Sequence, residues 1–343
     1  MKPLKPMIIL GSTLFVITLI VPSILVAPFT EETKGSLVED LQPQVLTTAV
    51  ENTIPVSVPV YRTAKKVIEE IPIEQYVVGV VASEMPAEFE EEALKAQALA
   101  ARTYIVEQLL SEGTIGIPKG VEGAEVTDTV NHQVYKDLAD LKAHWKGDYD
   151  WKLEKITKAV NDTAGQILTY EGSPISAMFF STSNGFTENS EDYWTNEFPY
   201  LRSVESKHGD EQSPKYITST SISVSQFEKL LGVRIGNSSE IGTITARTEG
   251  NRVASVKIGD KTFSGRRIRE DLGLYSSDFS WERKGDQIII TTKGYGHGVG
   301  MSQYGANGLA QQGRTYEEIV RHYYQGIEIT PVTPFLDKLT AFK

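Results

Sequence analysis

One carboxylate stands where proton chemistry is feasible. Glu84 lies in Val80–Val–Ala–Ser–Glu84–Met–Pro86, between an apolar run and a proline, just ahead of the alanine-rich stretch Glu92–Tyr104. A carboxyl so placed is partly desolvated, which raises its pKa and makes it a usable general acid. The plainer reading is a helix-capping or surface glutamate, one of 45 acidic residues. Glu88 and Glu92 are the other acids of the segment, and Glu92 suits the N-terminus of a helix. Arg102 is a possible partner for an acidic group near the site.

Two further segments carry polar groups on unusual backbone. Gly294–Tyr–Gly–His–Gly–Val–Gly300–Met–Ser–Gln–Tyr–Gly–Ala–Asn–Gly308 has four glycines at alternate positions and then two more. Such a loop can bring its backbone close to a ligand or to the core. It lacks the spacing of a dinucleotide fingerprint and the Gly-Lys-Ser/Thr of a phosphate loop. His297, Gln303 and Tyr304 are its candidate substrate contacts. Phe179–Phe180 gives way to Ser181, Thr182, Ser183, Asn184 and Gly185, with Tyr193 and Trp194 beyond. Short hydroxyls and amides suit sugar hydroxyls and N-acetyl groups, and aromatic faces stack on sugar rings. Turn chemistry and core aromatics are the plainer reading of the same residues.

Other chemistries lack their residues. There is no cysteine, which removes disulfides, iron–sulfur clusters, thiol nucleophiles and thiolate zinc sites. His132 and His144 lie near Asp128 and Asp140, yet no histidine pair has H-E-x-x-H spacing. The residues therefore call for no metal and no cofactor. No G-x-S-x-G elbow anchors a serine triad. The formal charge of −11 argues against a nucleic-acid partner, which needs basic surface.

The elements that must hold these residues can be read in outline. Val56–Arg62 reads as an edge strand because of Pro59. Lys65–Ile73 reads as a second short strand, with a helical start at 72–75. Glu90 to about Leu110 is a helix, with acids in its first turn and Gly113 past its end. Residues 115–147 read as irregular. Lys152–Ala164 is a helix ended by Gly165. Gln166–Tyr170 and Ile175–Phe180 read as strands. Residues 221–232 read as a strand and a short helix, and 241–263 as three β runs. A short helix follows at 264–272, a strand at 287–293 and a helix at 315–324. Helices and antiparallel strands are interspersed, so the class is α+β, with a β-rich inserted subdomain at about 215–290.

Met7–Ala27 is an uncharged run of 21 residues, long enough for a single N-terminal transmembrane helix. Lys2 and Lys5 before it put residues 1–6 in the cytoplasm and the rest outside. The rival is a cleavable signal peptide, whose apolar core is shorter. Pro28 directly follows the small-residue site. Residues 28–55 read as a flexible tether, and 56–343 as one extracytoplasmic domain.

Taken together, the three segments resemble the stage II sporulation protein D family, whose domain is also called the amidase-enhancer domain. The family pattern V-x-x-E-M-P … E-A-L-K-A-Q-A … A-R-T-Y is met by Val81–Pro86 and Glu92–Tyr104. F-x-S-T-S-N-G-x-T-E is met by Phe180–Glu188, and G-x-G-H-G-V-G-M-S-Q-Y-G-A by Gly294–Ala306. The likeness covers the extracytoplasmic part and the anchor. It implies a peptidoglycan lytic transglycosylase that cuts glycan strands between N-acetylmuramic acid and N-acetylglucosamine, preferring strands stripped of stem peptides. Glu84 matches the family's catalytic glutamate. The resemblance also implies action during engulfment in sporulation, with stage II sporulation proteins P and M as partners, from the mother-cell membrane. Some relatives hold zinc through Cys and His near 127–135; here that stretch has His132 and no cysteine, so the metal does not carry over. A non-catalytic glycan-binding activator of an amidase remains the alternative, and a structural bridge between two membranes is another.

Overall fold

The computed structural model describes residues 56–111 and 116–336. The expected anchor at 7–27 and the tether at 28–55 lie outside the described residues. Among the described residues no helix is long and apolar enough to cross a membrane. The architecture is mixed α+β.

The chain begins with a hairpin of β1 (Ser57–Arg62) and β2 (Val67–Pro72). β1 is not an edge strand, because β3 (Val126–Thr127) pairs with its other side in parallel. Pro59 is tolerated because that second pairing begins only at Val60. Beside it, the Pro59 carbonyl accepts from Glu125 N at 2.9 Å.

Two helices follow, α1 (Ile73–Glu84) and α2 (Glu91–Leu110). The sequence signalled only the start of α1, because its Val-Val-Gly-Val-Val run reads as easily as strand. α2 is covered on nearly every side, and Ala93, Ala96, Ala98, Ala100 and Ala101 are fully buried. Small side chains on every side let neighbours approach closely, so α2 becomes the hub of the main core. It contacts α1, then α4 (Tyr149–Asp162) and β4 (Gln166–Tyr170). α3 (Leu138–Trp145), in the stretch read as irregular, starts at an Asp137–Asp140 capping box. β4 forms a small antiparallel sheet with β5 (Ser173–Pro174). Of the strand expected at 175–180 only β6 (Phe179–Phe180) pairs, and α5 (Ser190–Tyr193) is a single turn.

A second apolar core lies within residues 217–293. β7 (Ile217–Ser223) leads to α6 (Val224–Leu231). An antiparallel sheet of β8 (Thr243–Arg247), β9 (Val253–Ile258) and β10 (Lys261–Ser264) comes next, then α7 (Gly265–Leu272). After β11 (Phe279–Lys284), β12 (Gln287–Lys293) pairs with both β11 and β7, in strand order β11-β12-β7. Its alternating isoleucines, Ile288 and Ile290, face this core. The chain then returns to the main core through β13 (Met301–Ser302), α8 (Gln303–Gln311), α9 (Tyr316–Tyr323) and β14 (Glu328–Pro331). β13 pairs with β6 in parallel and β14 with β4.

A buried ion pair fixes the start of α1. Arg102, fully buried in α2, donates from Nε and Nη2 to the two carboxylate oxygens of Glu74 at 2.9 and 2.7 Å. Its remaining hydrogens go to the carbonyls of Val160 and Gln166 and to Thr163 Oγ1. All five guanidinium N–H groups thus find acceptors. Glu74 also accepts from Gly165 N at 3.2 Å. Arg102 therefore serves the framework, about 15 Å along α1 from Glu84 at ten residues' rise. Arg102→Ala would leave the Glu74 carboxylate buried and unpaired. It should cost about 3–5 kcal/mol in urea unfolding of the purified protein, and a loss under 1 kcal/mol would contradict this account.

Candidate active site

Glu84 is the last residue of α1, and the chain leaves it in extended conformation at Met85. Its carboxyl is half-buried, and Oε1 accepts from Val134 N at 2.9 Å. Burial raises its pKa, and the Val134 amide partly opposes the rise. The neighbouring acids are different. Glu88 is exposed and ion-paired with Lys152 at 2.7 Å, which holds its carboxyl below the usual range. Glu92 accepts from Tyr316 N at 2.7 Å and pairs with Lys95. Burial thus favours the protonated form of Glu84, whereas the lysine beside Glu88 favours its ionised form.

The segment that reaches Glu84 is held by a network around Arg62. Tyr135 stacks on Tyr76 of α1 with centroids 5.4 Å apart. Its ring lies so near Gly79 that no side chain would fit there. Tyr76 OH donates to Gln133 Oε1 at 3.2 Å. Arg62 is nearly buried and pairs with Glu69, Asp128, Asp137 and Asp140, with its cation over the Tyr135 ring. His132 Nδ1 accepts from Thr127 N at 3.2 Å. Among the described residues no group of three His, Asp or Glu side chains could hold a metal ion.

α8 joins this acid to the other two segments. Gln303 Nε2 donates to the Glu84 carbonyl at 3.0 Å, and Glu90 N donates to Asn307 Oδ1 at 2.8 Å. Tyr304 packs edge-on against Phe89, centroids 4.9 Å apart. Its amide donates to the Ser181 carbonyl at 3.1 Å. Ser302 caps α8 and donates to Asp210 Oδ1 at 2.5 Å; Ser183 N donates to the same oxygen at 2.6 Å. Asp210, missed by the sequence because it belongs to no motif, is raised in pKa by burial and countered by these donors.

The remaining sequence candidates face varied surroundings. Thr182, Ser183 and Asn184 are buried. Thr182 Oγ1 donates to Ser213 Oγ, Ser183 Oγ to the Ser206 carbonyl, and Asn184 Nδ2 to the Gly250 carbonyl and Asp278. Ser181, Tyr193 and Tyr304 are half-buried, as is Trp194. Tyr193 OH accepts from Arg269 at 2.8 Å. His297 sits among Phe180, Tyr193 and Trp194, with centroids 5.3–5.7 Å away. Burial first, then Arg269 and Arg252, pushes its pKa down to about 3, so the ring is neutral near pH 7. Val299 N donates to Nδ1, which leaves the proton on Nε2.

The alternate glycines make their close approach to the protein itself. Gly300 has φ 78°, and a Cβ there would collide with the Met178 carbonyl. Gly298 has φ 91° and lies against the buried Arg252, which pairs with Glu188 at 3.1 Å. Backbone conformation and space both demand glycine.

The Arg62 network makes the support of Glu84 sensitive to acid. Burial works against the Asp137 carboxylate, but hydrogen bonds from Lys65, the Asp140 amide and Arg62 win and lower its pKa to about 2. A depressed folded-state pKa contributes stability above the unfolded value near 4, and the contribution fades as pH falls toward 2. Stability measured by urea titration should drop across that window more steeply in the native protein than in Asp137→Asn. Equal slopes would count against the network.

Comparison with known proteins agrees with the motifs. The family model described as Stage II sporulation protein matches residues 61–170. Stage II sporulation protein D of Bacillus amyloliquefaciens is 51% identical over 99% of this chain and 100% of its own length. That of Bacillus subtilis (strain 168) is 50% identical over 99% of this chain and its full length. The amidase enhancer of Bacillus subtilis (strain 168) is 29% identical over 74% of this chain and 40% of its own. On full-length identity of this order, the chain belongs to the stage II sporulation protein D family.

Proposed function

We propose that this protein works on the cell wall during sporulation, as a lytic transglycosylase acting on peptidoglycan glycan strands. The observation that carries the reading is Glu84: a half-buried carboxyl of raised pKa, held by a single backbone amide at the junction of α1, α8 and the 127–135 segment.

One acid suffices for this reaction. Hydrolytic glycosidases ordinarily use two carboxylates. Here Glu84 gives its proton to the glycosidic oxygen as the C1–O bond breaks. The resulting carboxylate takes the proton of the muramic acid C6 hydroxyl as that oxygen bonds to C1. A 1,6-anhydro ring forms, Glu84 regains its proton, and no water is consumed. Ser181, Tyr193, Trp194 and Tyr304 keep partly exposed side chains for sugar contacts. The membrane anchor at 7–27, an extracytoplasmic location, a preference for peptide-free strands, and stage II sporulation proteins P and M as partners complete the proposal.

The name of the amidase-enhancer relative favours a second reading, a glycan-binding module that activates an amidase. Incubation of the purified protein with peptide-free strands separates the two. Glu84→Gln should lower 1,6-anhydromuramic acid formation at least 1000-fold while strand binding stays within about threefold. No anhydro ends from the native protein would favour the activator. Because the first step needs the protonated acid, kcat/KM should fall as pH rises through the elevated Glu84 pKa. A rate that climbs across that range would sink the general-acid role.

A further inference from the structure

Gln303 touches Glu84 through the backbone rather than through the carboxyl. As the last residue of α1, Glu84 has a carbonyl that the helix itself leaves without an amide donor. Gln303 Nε2 supplies one at 3.0 Å. The same nitrogen donates to Gln97 Oε1 at 3.4 Å. A carboxamide nitrogen has two hydrogens, so both are used within the protein and neither is left for a sugar. Gln303 is only 7% exposed, and Gln97 is fully buried in α2.

Gln97 is oriented at a cost. With Oε1 turned to Gln303, its own Nε2 is buried and has no hydrogen-bond partner among the described residues. The opposite amide orientation would set two donor nitrogens face to face. A buried amide hydrogen without a partner is unfavourable, so an apolar residue would be the more stable choice unless the link to Gln303 matters.

We propose that Gln303, aimed by Gln97, is a positioning residue that fixes where the Glu84 carboxyl meets the scissile bond. Two anchors then define Glu84: Gln303 on its carbonyl and Val134 on its carboxyl. They come from widely separated parts of the chain, 219 residues and 50 residues after it. With the first anchor gone, the last turn of α1 is free to fray, and the carboxyl moves relative to a substrate held elsewhere. Misplacement by about 1 Å can cost on the order of 100-fold in rate. The proposal rests on the reading of Glu84 as the acid.

The test compares Gln303→Met, Gln97→Met and Glu84→Gln in the full-length protein, with folding checked by circular dichroism. The first readout is kcat and KM on peptide-free glycan strands. The second is titration of the Glu84 carboxyl by NMR, assigned by its loss in Glu84→Gln. Gln303→Met should lower kcat by about 30- to 100-fold with KM within twofold, and should displace the Glu84 titration. Gln97→Met, which keeps Gln303 but unaims it, should do the same to a smaller degree and carries the test if Gln303→Met does not fold. A raised KM with unchanged kcat would make Gln303 a substrate contact and overturn the proposal, as would an unmoved titration. If Glu84→Gln itself keeps full cleavage, the acid assignment falls; a displaced titration then still upholds the clamp and an unmoved one refutes it.

Discussion

The structure hangs on one buried guanidinium. Taking Arg102 and Glu74 out of water is expensive, and their mutual attraction alone need not repay the loss. What repays it here is complete satisfaction: five N–H groups on Arg102 meet acceptors on α1, on the end of α4 and on β4. The pair therefore acts as a register pin. It sets the first turn of α1 against α2 and α4, and a rigid helix carries that setting to Glu84 at its other end. A short, strongly determined lever is what the role proposed for Glu84, an acid acting without a second carboxylate, would require.

Much of this was legible in the sequence, and the failures have physical causes. The alanine-rich α2 was clear because helix propensity and burial agree along its length. α8 was hidden by Gly305 and Gly308, poor helix formers that would ordinarily argue against a helix. Gly308 is there because α8 presses directly on the His208 carbonyl, a packing demand with no local signature. The Ser181–Asn184 run suggested sugar contacts by residue type. Position decides otherwise for most of it: Thr182, Ser183 and Asn184 spend their side-chain hydrogen bonds on neighbouring backbone and on Ser213 and Asp278.

The candidate site is thus mostly scaffold around one half-buried carboxyl. Three well-marked segments converge, yet their polar side chains largely hold one another. Neutral His297, caged by aromatic rings, stiffens the loop that β13 and α8 continue. Asp210 ties β13, the 181–184 turn and Ser206 into one unit. Glu84 keeps a carboxyl that is both partly open and lightly bonded. The economy follows from burial: most polar groups there satisfy each other, while burial raises the pKa of the lightly bonded Glu84.

The link between Glu84 and Gln303 spans 219 residues of chain. Between them the polypeptide completes α2, both sheets of the second core and β13. Loop-closure entropy must be met before a contact of that span rewards the chain, so the clamp is among the last features to form. A growing or truncated polypeptide holds the glutamate but not its bearings. The hydrogen bond from Gln303 to Glu84 can form only once α8 has docked, so the far end of α1 is held only when the C-terminal part of the chain is in place.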